Sequence, residues 1–281
     1  MAGRGGERPT GPRARPGPAR AVGRALYRLR DSDLVDLVLP RECGGCLRPG
    51  PNWCARCDRA LLALAFEAPG TGRERASATP GDHGGGPWVV PHPVPEGMPP
   101  VHAWGVYADP LRAAVSAWKD VGRRDLVTLL APLLAASVDG ALRGAGWDDG
   151  VVLVVPAPSS RRSVRERGDT PLTALCLAAV SDLTRLSQPS GPTLRVAPAL
   201  HHVRRVEDQS GLGTVERRGN LASALAVMPL WRNVIRGRRV LLVDDVVTTG
   251  ATLAEAARAL RTAGCSDVVG ASMAATQRTR G

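Results

Sequence analysis

A chain of 281 residues with 43% hydrophobic content is long enough to bury one substantial core with something smaller beside it. No run of eighteen apolar residues occurs, and the first thirty residues interleave Arg with Gly, Pro and Ala. Composition therefore argues against a membrane span or a secretory signal, and the expected compartment is the cytoplasm. The formal charge of +11 is mostly local: residues 1–30 hold eight Arg and one Glu, which leaves the remainder only mildly basic.

Residues 1–32 are rich in Gly, Pro and Arg and cannot bury enough apolar area to offset their ordering entropy, so a disordered basic tail is expected there. Residues 33–66 form a second unit. The short apolar element Leu34 to Pro40 leads into four cysteines, and Ala60 to Phe66 reads as a short helix. Residues 67–100 hold eight Pro and seven Gly and are expected to be a linker. From residue 101 to residue 281, short β-rich runs alternate with helical patterns, the signature of an α/β unit with a parallel sheet and covering helices.

The cysteines Cys43, Cys46, Cys54 and Cys57 make two CxxC knuckles. Each knuckle can place two thiolates on one ion, and the pair completes a tetrahedral site suited to structural Zn²⁺. An iron–sulfur cluster or redox dithiols are the competing readings. Arg41, Arg48, Arg56 and Arg59 give this module a basic rim, with Trp53 as its aromatic surface. Cys176 and Cys265 stand alone within apolar patterns and read as packed thiols.

In the α/β unit, strands are expected over 101–107, 151–155, 223–228, 239–243 and 267–271. Helices follow from spacing: Leu111, Val115 and Trp118 share one face, as do Leu172, Leu175 and Ala179. Leu253, Ala256, Ala257 and Leu260 form a third face, and that helix is expected to stop at Gly264.

The most informative stretch runs from Val240 to Thr252. Four apolar residues form a buried strand, Asp244 and Asp245 follow, and Thr248, Thr249, Gly250, Ala251 and Thr252 lead into a helix. A helix N-terminus behind Thr-Thr-Gly offers backbone N–H groups, hydroxyls and the positive end of the helix dipole, which suits a phosphate monoester. Two carboxylates beside an anion site would repel it. Ribose hydroxyls and Mg²⁺ give them a purpose, since carboxylates accept hydrogen bonds from the former and help position the latter.

Residues 240–252 resemble the phosphoribosylpyrophosphate (PRPP) signature of type I phosphoribosyltransferases, and the surrounding chain resembles the ComF family. Further likeness lies in Trp104 to Tyr107, in the helix ending at Lys119, in Val154 to Pro158, and in Arg165 to Gly168. Gln209, Leu212, Arg217 and Asn220 also stand at the family's spacing. The cysteine module is a further ComF feature. The chain departs from the family pattern at Asp169 to Pro171 and at Leu225.

The resemblance implies a type I phosphoribosyltransferase fold with a small N-terminal four-cysteine zinc module, PRPP as ligand, and Mg²⁺ bound with it. It implies that Asp244 and Asp245 fix the ribose and that Thr248 to Thr252 hold the phosphate. Lys119 belongs to the family's Lys-containing motif, and the loop carrying Arg161, Arg162, Arg165 and Arg167 stands where pyrophosphate is held; a solvated surface is the alternative for those arginines. Residues 201–220 suit either a hood over PRPP or an ordinary loop, with His201 and His202 read as surface histidines. Two functions remain open. One is phosphoribosyl transfer to an acceptor; the other is a non-catalytic PRPP-sensing or single-stranded-DNA-handling role in natural competence, alongside competence proteins.

Overall fold

The computed structural model describes residues 42–66, 88–158, 170–186, 191–203 and 224–276. The expectations for residues 1–32, for Leu34 to Pro40 and for the Arg161 to Arg167 loop fall outside these residues, as does most of the proposed hood.

The main sheet has six strands: β1 (Trp88–Val89), β2 (Val101–Val106), β3 (Val151–Pro156), β4 (Thr193–Val196), and two longer strands near the C-terminal end of the described chain. Those two are β7 (Arg239–Val247) and β8 (Asp267–Ala275), and the spatial order is β1-β2-β8-β7-β3-β4. All pairings are parallel except β1 with β2. A separate antiparallel pair joins β5 (Leu200–His202) to β6 (Leu225–Val227).

The helices are α1 (Ala55–Leu62), α2 (Leu111–Lys119), α3 (Val127–Gly144), α4 (Pro171–Leu186), α5 (Arg232–Ile235) and α6 (Ala251–Thr262). Helices α3 and α4 pack on one sheet face with Val152, Val154, Leu241 and Val243. Helix α6 covers the other face with Leu153, Val155, Val240 and Leu242. This two-sided burial is why the strands read as unbroken apolar runs rather than alternating ones. The fold is a sheet with flanking helices, as the resemblance implied.

Several elements differ from the sequence reading. Strand β7 continues through both aspartates to Val247, and β8 continues to Ala275, because the two pair along their whole length. Helix α3 was not anticipated, since it is apolar on most of its surface and lacks a single amphipathic face. The short helix expected at 60–66 begins earlier, at Ala55, directly after the second knuckle opens.

Among the described residues one helix, spanning Arg124–Gly144, is long and apolar enough to cross a membrane. In its most apolar stretch 61% is buried inside the fold, against the sheet and α4.

Residues 88–100, the described part of the expected linker, pack against the α/β unit. Trp88 and Val89 pair with His102 and Val101, and the Gly97 carbonyl accepts a hydrogen bond from Arg261 of α6. Prolines in this stretch do not prevent an edge pairing of two residues, since each lies outside the bonded positions.

Candidate active site

At the carboxyl ends of the parallel strands lies a cavity of about 490 Å³, lined by Tyr107, Trp118, Lys119, Asp244, Asp245 and the whole of Thr248 to Leu253, among others. Clefts at strand ends are the usual ligand position in open α/β sheets. Successive residues of a strand point to opposite faces, yet both aspartates line this one cavity. The alternation slips by one across them: Val243 and Val246 pack with the α3 side, whereas Leu242 and Val247 pack with the α6 side.

The acids are held locally. The Asp244 Oδ1 accepts the Asp245 N–H at 2.9 Å, and the Asp245 Oδ1 accepts the Val246 N–H at 2.9 Å. Beneath them, the Asp245 carbonyl accepts the Ser272 hydroxyl at 3.0 Å, while the Ser137 hydroxyl of α3 donates to the Ser272 carbonyl at 2.7 Å. This buried polar chain ties the acidic turn to the neighbouring strand and helix, and it was not legible in the sequence.

Lys119, at the end of α2, forms an ion pair with Asp245. Burial lowers the Lys119 ammonium, but Asp245, Asp244 and Asp120 outweigh it and the net shift is upward. Burial, and then the Asp245 carboxylate, push Asp244 up to about 7, with Lys119 opposing. Tyr107 is likewise raised, first by burial and then by Asp245. The site thus holds one Lys and three carboxyl groups, Asp120, Asp244 and Asp245, an excess of acid that an added cation or a hydroxyl donor relieves.

The loop end of the cavity is built by Gly250, the N-cap of α6, at φ +73 and ψ 0. A residue with a side chain is strained there. The N-cap glycine offers no side chain to the first-turn amides, and Ala251, Thr252 and Leu253 of that turn line the cavity. The Ala251 N–H makes a long contact of 3.4 Å to Thr249 Oγ1. A β-carbon at Gly250 would meet the Sδ of Met98 and come within 3.1 Å of Pro91, so the Pro-rich segment backs the loop.

The structure therefore brings together Asp244, Asp245, Thr248, Thr249, Gly250, Ala251, Thr252 and Lys119 around one cavity. Arg161 and Arg162 lie outside the described residues. Trp118 also borders the cavity, although the sequence reading placed it only on the packed face of α2.

The four cysteines of the N-terminal module converge, their sulfur atoms all within 4.8 Å of one another. The Cys46 and Cys54 sulfurs lie 3.8 Å apart. That is the edge of a tetrahedron with metal–sulfur bonds of about 2.3 Å. The Cys54 N–H points to Cys43 Sγ at 3.4 Å. Burial raises the Cys43 thiol, but N–H groups of Gly45, Cys46 and Cys54 outweigh it and bring it down to about 6. Cys57 is raised, first by burial and then by the other three thiols. One sulfur primed as a thiolate while a neighbour resists ionisation is what a shared divalent cation resolves, and the donor set fits structural Zn²⁺.

Residues 194–280 match the phosphoribosyl transferase domain family. Competence protein F of Haemophilus influenzae is 41% identical over 66 residues, which is 24% of this chain and 28% of that protein. Residues 194–280 are thus of the phosphoribosyl transferase domain type, and a quarter of the chain is similar to competence protein F. The alignment spans less than a third of competence protein F.

Among solved structures, the phosphoribosyltransferase-type domain is similar to the hypoxanthine phosphoribosyl transferase of Trypanosoma cruzi. That likeness has 15% identity and a TM-score of 0.31 over 56% of this chain and 71% of the other. It is also similar to glutamine PRPP amidotransferase from B. subtilis in complex with ADP and GMP, with 22% identity and a TM-score of 0.28. There the match covers 53% of this chain and 26% of the other.

Proposed function

We propose that the protein binds PRPP in the cavity between α2 and the N-terminus of α6 and transfers its phosphoribosyl group to an acceptor nitrogen. The observation that carries this reading is the convergence of Lys119, Asp244 and Asp245 on the helix cap at Gly250. In this reading the 5′-phosphate sits on the amides and hydroxyls of Thr248 to Thr252, and the acids accept the ribose hydroxyls. Lys119, paired with Asp245 in the same cavity, supplies the positive charge that a departing pyrophosphate needs.

Transfer breaks the bond from C1 to the pyrophosphate oxygen, which leaves with the bonding pair. The acceptor nitrogen supplies the new pair to C1 and releases its proton. No protein nucleophile is needed; positioning and electrostatic stabilisation supply the catalysis. Mg²⁺ bound with PRPP would neutralise pyrophosphate charge, and the paired carboxylates are a fitting hard-oxygen donor set for it. Arg161 and Arg162 complete the proposed pyrophosphate contacts.

The domain plan goes with this reading: a basic tail over 1–32, a zinc module over 33–66, a connecting segment over 67–100 and the transferase-type domain over 101–281, working in the cytoplasm. Likeness to competence protein F favours a second reading, in which PRPP is sensed without turnover and single-stranded DNA or competence proteins are the partners.

Calorimetric titration of PRPP with Mg²⁺ tests the first step, comparing wild type with Asp244→Ala combined with Asp245→Ala. Equal binding by both proteins would sink it. Pyrophosphate release across a nucleobase panel, with and without single-stranded DNA, then separates the readings. Affinity without release under every condition selects the sensor.

A further inference from the structure

Helix α2 is gripped at both ends by the four-cysteine module. Its N-cap is Pro110, and a β-carbon at Gly45, inside the first knuckle, would lie 2.9 Å from the Pro110 ring and 2.8 Å from Cys57 Sγ. Just beyond the other end, the Arg123 guanidinium donates to the Glu42 carbonyl at 3.1 Å, across 81 residues of sequence. Arg123 is itself held by a forked pair to Asp125 at 2.9 and 2.8 Å. Leu126, fully buried, meets the first knuckle at Gly44, where a β-carbon would stand 2.8 Å from its Cδ2.

Between these two grips the helix runs from Leu111 to Lys119. The turn that follows is tied back to it: the Arg123 N–H donates to the Ala117 carbonyl at 3.0 Å, and Arg124 donates to the Trp118 carbonyl. Lys119 sits at the point where this braced helix meets the cavity and pairs with Asp245. Burial of Leu111, Val115 and Trp118 in the main core holds the body of the helix, and the contacts at its two ends come from a module whose own core is four convergent sulfurs. A tetrathiolate site around a divalent ion keeps a net negative charge, and the Arg123 guanidinium is held at its edge by the carbonyl of Glu42, the residue before Cys43.

We propose that the cysteine module is a brace that positions Lys119, so that metal occupancy and affinity for the phosphate ligand are thermodynamically coupled. Rigid contacts at Pro110, Arg123 and Leu126 transmit the state of the knuckle to α2. Loss of the metal loosens the helix end and withdraws Lys119 from its place opposite Asp245. Lys119 is in this respect a positioning target of the metal site. The inference rests on the PRPP reading above for its ligand, but the mechanical link does not.

The test uses the full chain. PRPP is titrated calorimetrically in excess Mg²⁺ against zinc-loaded protein and against protein stripped with a zinc-selective chelator. Stripping is expected to weaken PRPP binding roughly 5- to 20-fold, within the usual range of coupling between sites. In Lys119→Ala, already weaker, stripping should change nothing further. Arg123→Ala, which leaves all four sulfurs in place, should weaken PRPP binding with zinc content unchanged, and it carries the test if stripping unfolds the module.

Unchanged affinity on stripping, or an undiminished effect in Lys119→Ala, overturns the proposal, as does wild-type affinity in Arg123→Ala. Hydrogen exchange over residues 111–126 separates this from a failure of the ligand assignment. If zinc-loaded protein does not bind PRPP at all, the functional reading fails. The brace still stands or falls on whether stripping removes protection from that helix and turn.

Discussion

The ammonium of Lys119, carried at the end of α2, is paired with the carboxylate of Asp245 on the central strand β7. The pair joins two segments more than a hundred residues apart and sets one wall of the cavity. Asp245 is only 7% exposed, whereas the Lys119 side chain is 45% exposed. A long cation reaching from a helix end to a buried acid can be lent to a passing anion.

Removing that cation should therefore be felt mainly in binding. Lys119→Ala is expected to weaken PRPP binding about tenfold, or about 1.4 kcal/mol. Thermal stability should fall modestly, because Asp245 loses its counter-ion. Calorimetry on the variant, read beside its melting temperature, checks both.

The acid pair should make ligand binding pH-dependent. Asp244 is raised from 3.8 to about 7. A carboxyl that holds its proton more tightly in the native state loses stability as pH rises between those values and levels off above them. Ribose hydroxyls and Mg²⁺ favour its ionised form, so binding should release a proton and tighten from about pH 6 to about pH 8. Titrations in buffers of different ionisation enthalpy measure that proton. Asp244→Asn should abolish its share; if release is unaltered, the proton comes from the ligand.

Gly250 should tolerate no side chain. Its φ of +73 and the Met98 thioether behind it both oppose a β-carbon. Gly250→Ala is expected to cost about 1–3 kcal/mol of stability and to reduce PRPP affinity. Adding Met98→Ala should recover the part due to crowding but not the part due to backbone conformation, as chemical denaturation of the wild type and the two variants will show.

The Glu255–Arg258 pair of α6 should hold β6 in place. Glu255 is buried, its Oε1 accepts the Leu225 N–H at 3.0 Å, and Arg258 donates to the Leu225 carbonyl at 3.0 Å. Glu255→Ala leaves that N–H without its acceptor and the guanidinium without its carboxylate, and is expected to cost about 1–3 kcal/mol. Faster hydrogen exchange at residues 225–227 would locate the loss; unaltered exchange there would refute the role.

Much of the site was legible in linear order because its chemistry is contiguous. A buried strand, two acids, Thr-Thr-Gly and a helix follow one another from Val240 to Thr252, and each step has a local physical cause. The two CxxC knuckles were equally readable, since metal ligation demands short fixed spacing. Helix α3 was not, because a surface that is mostly apolar, with Ala and Pro even among its exposed positions, carries little period to detect.

Strand β7 outran its expected end because a parallel neighbour, β8, continues to pair with it, and pairing is decided across the sheet rather than along it. The same reason separates what the chain order alone determined from what folding decided. Sequence determined the order of acids, Thr-Thr-Gly and helix from Asp244 to Thr252 and the sulfur cluster, where each group's partners lie within a few residues. Only the tertiary structure decided that Lys119 meets Asp245, that Met98 backs Gly250, and that Arg123 reaches Glu42. These depend on three-dimensional packing of segments with no local pattern linking them.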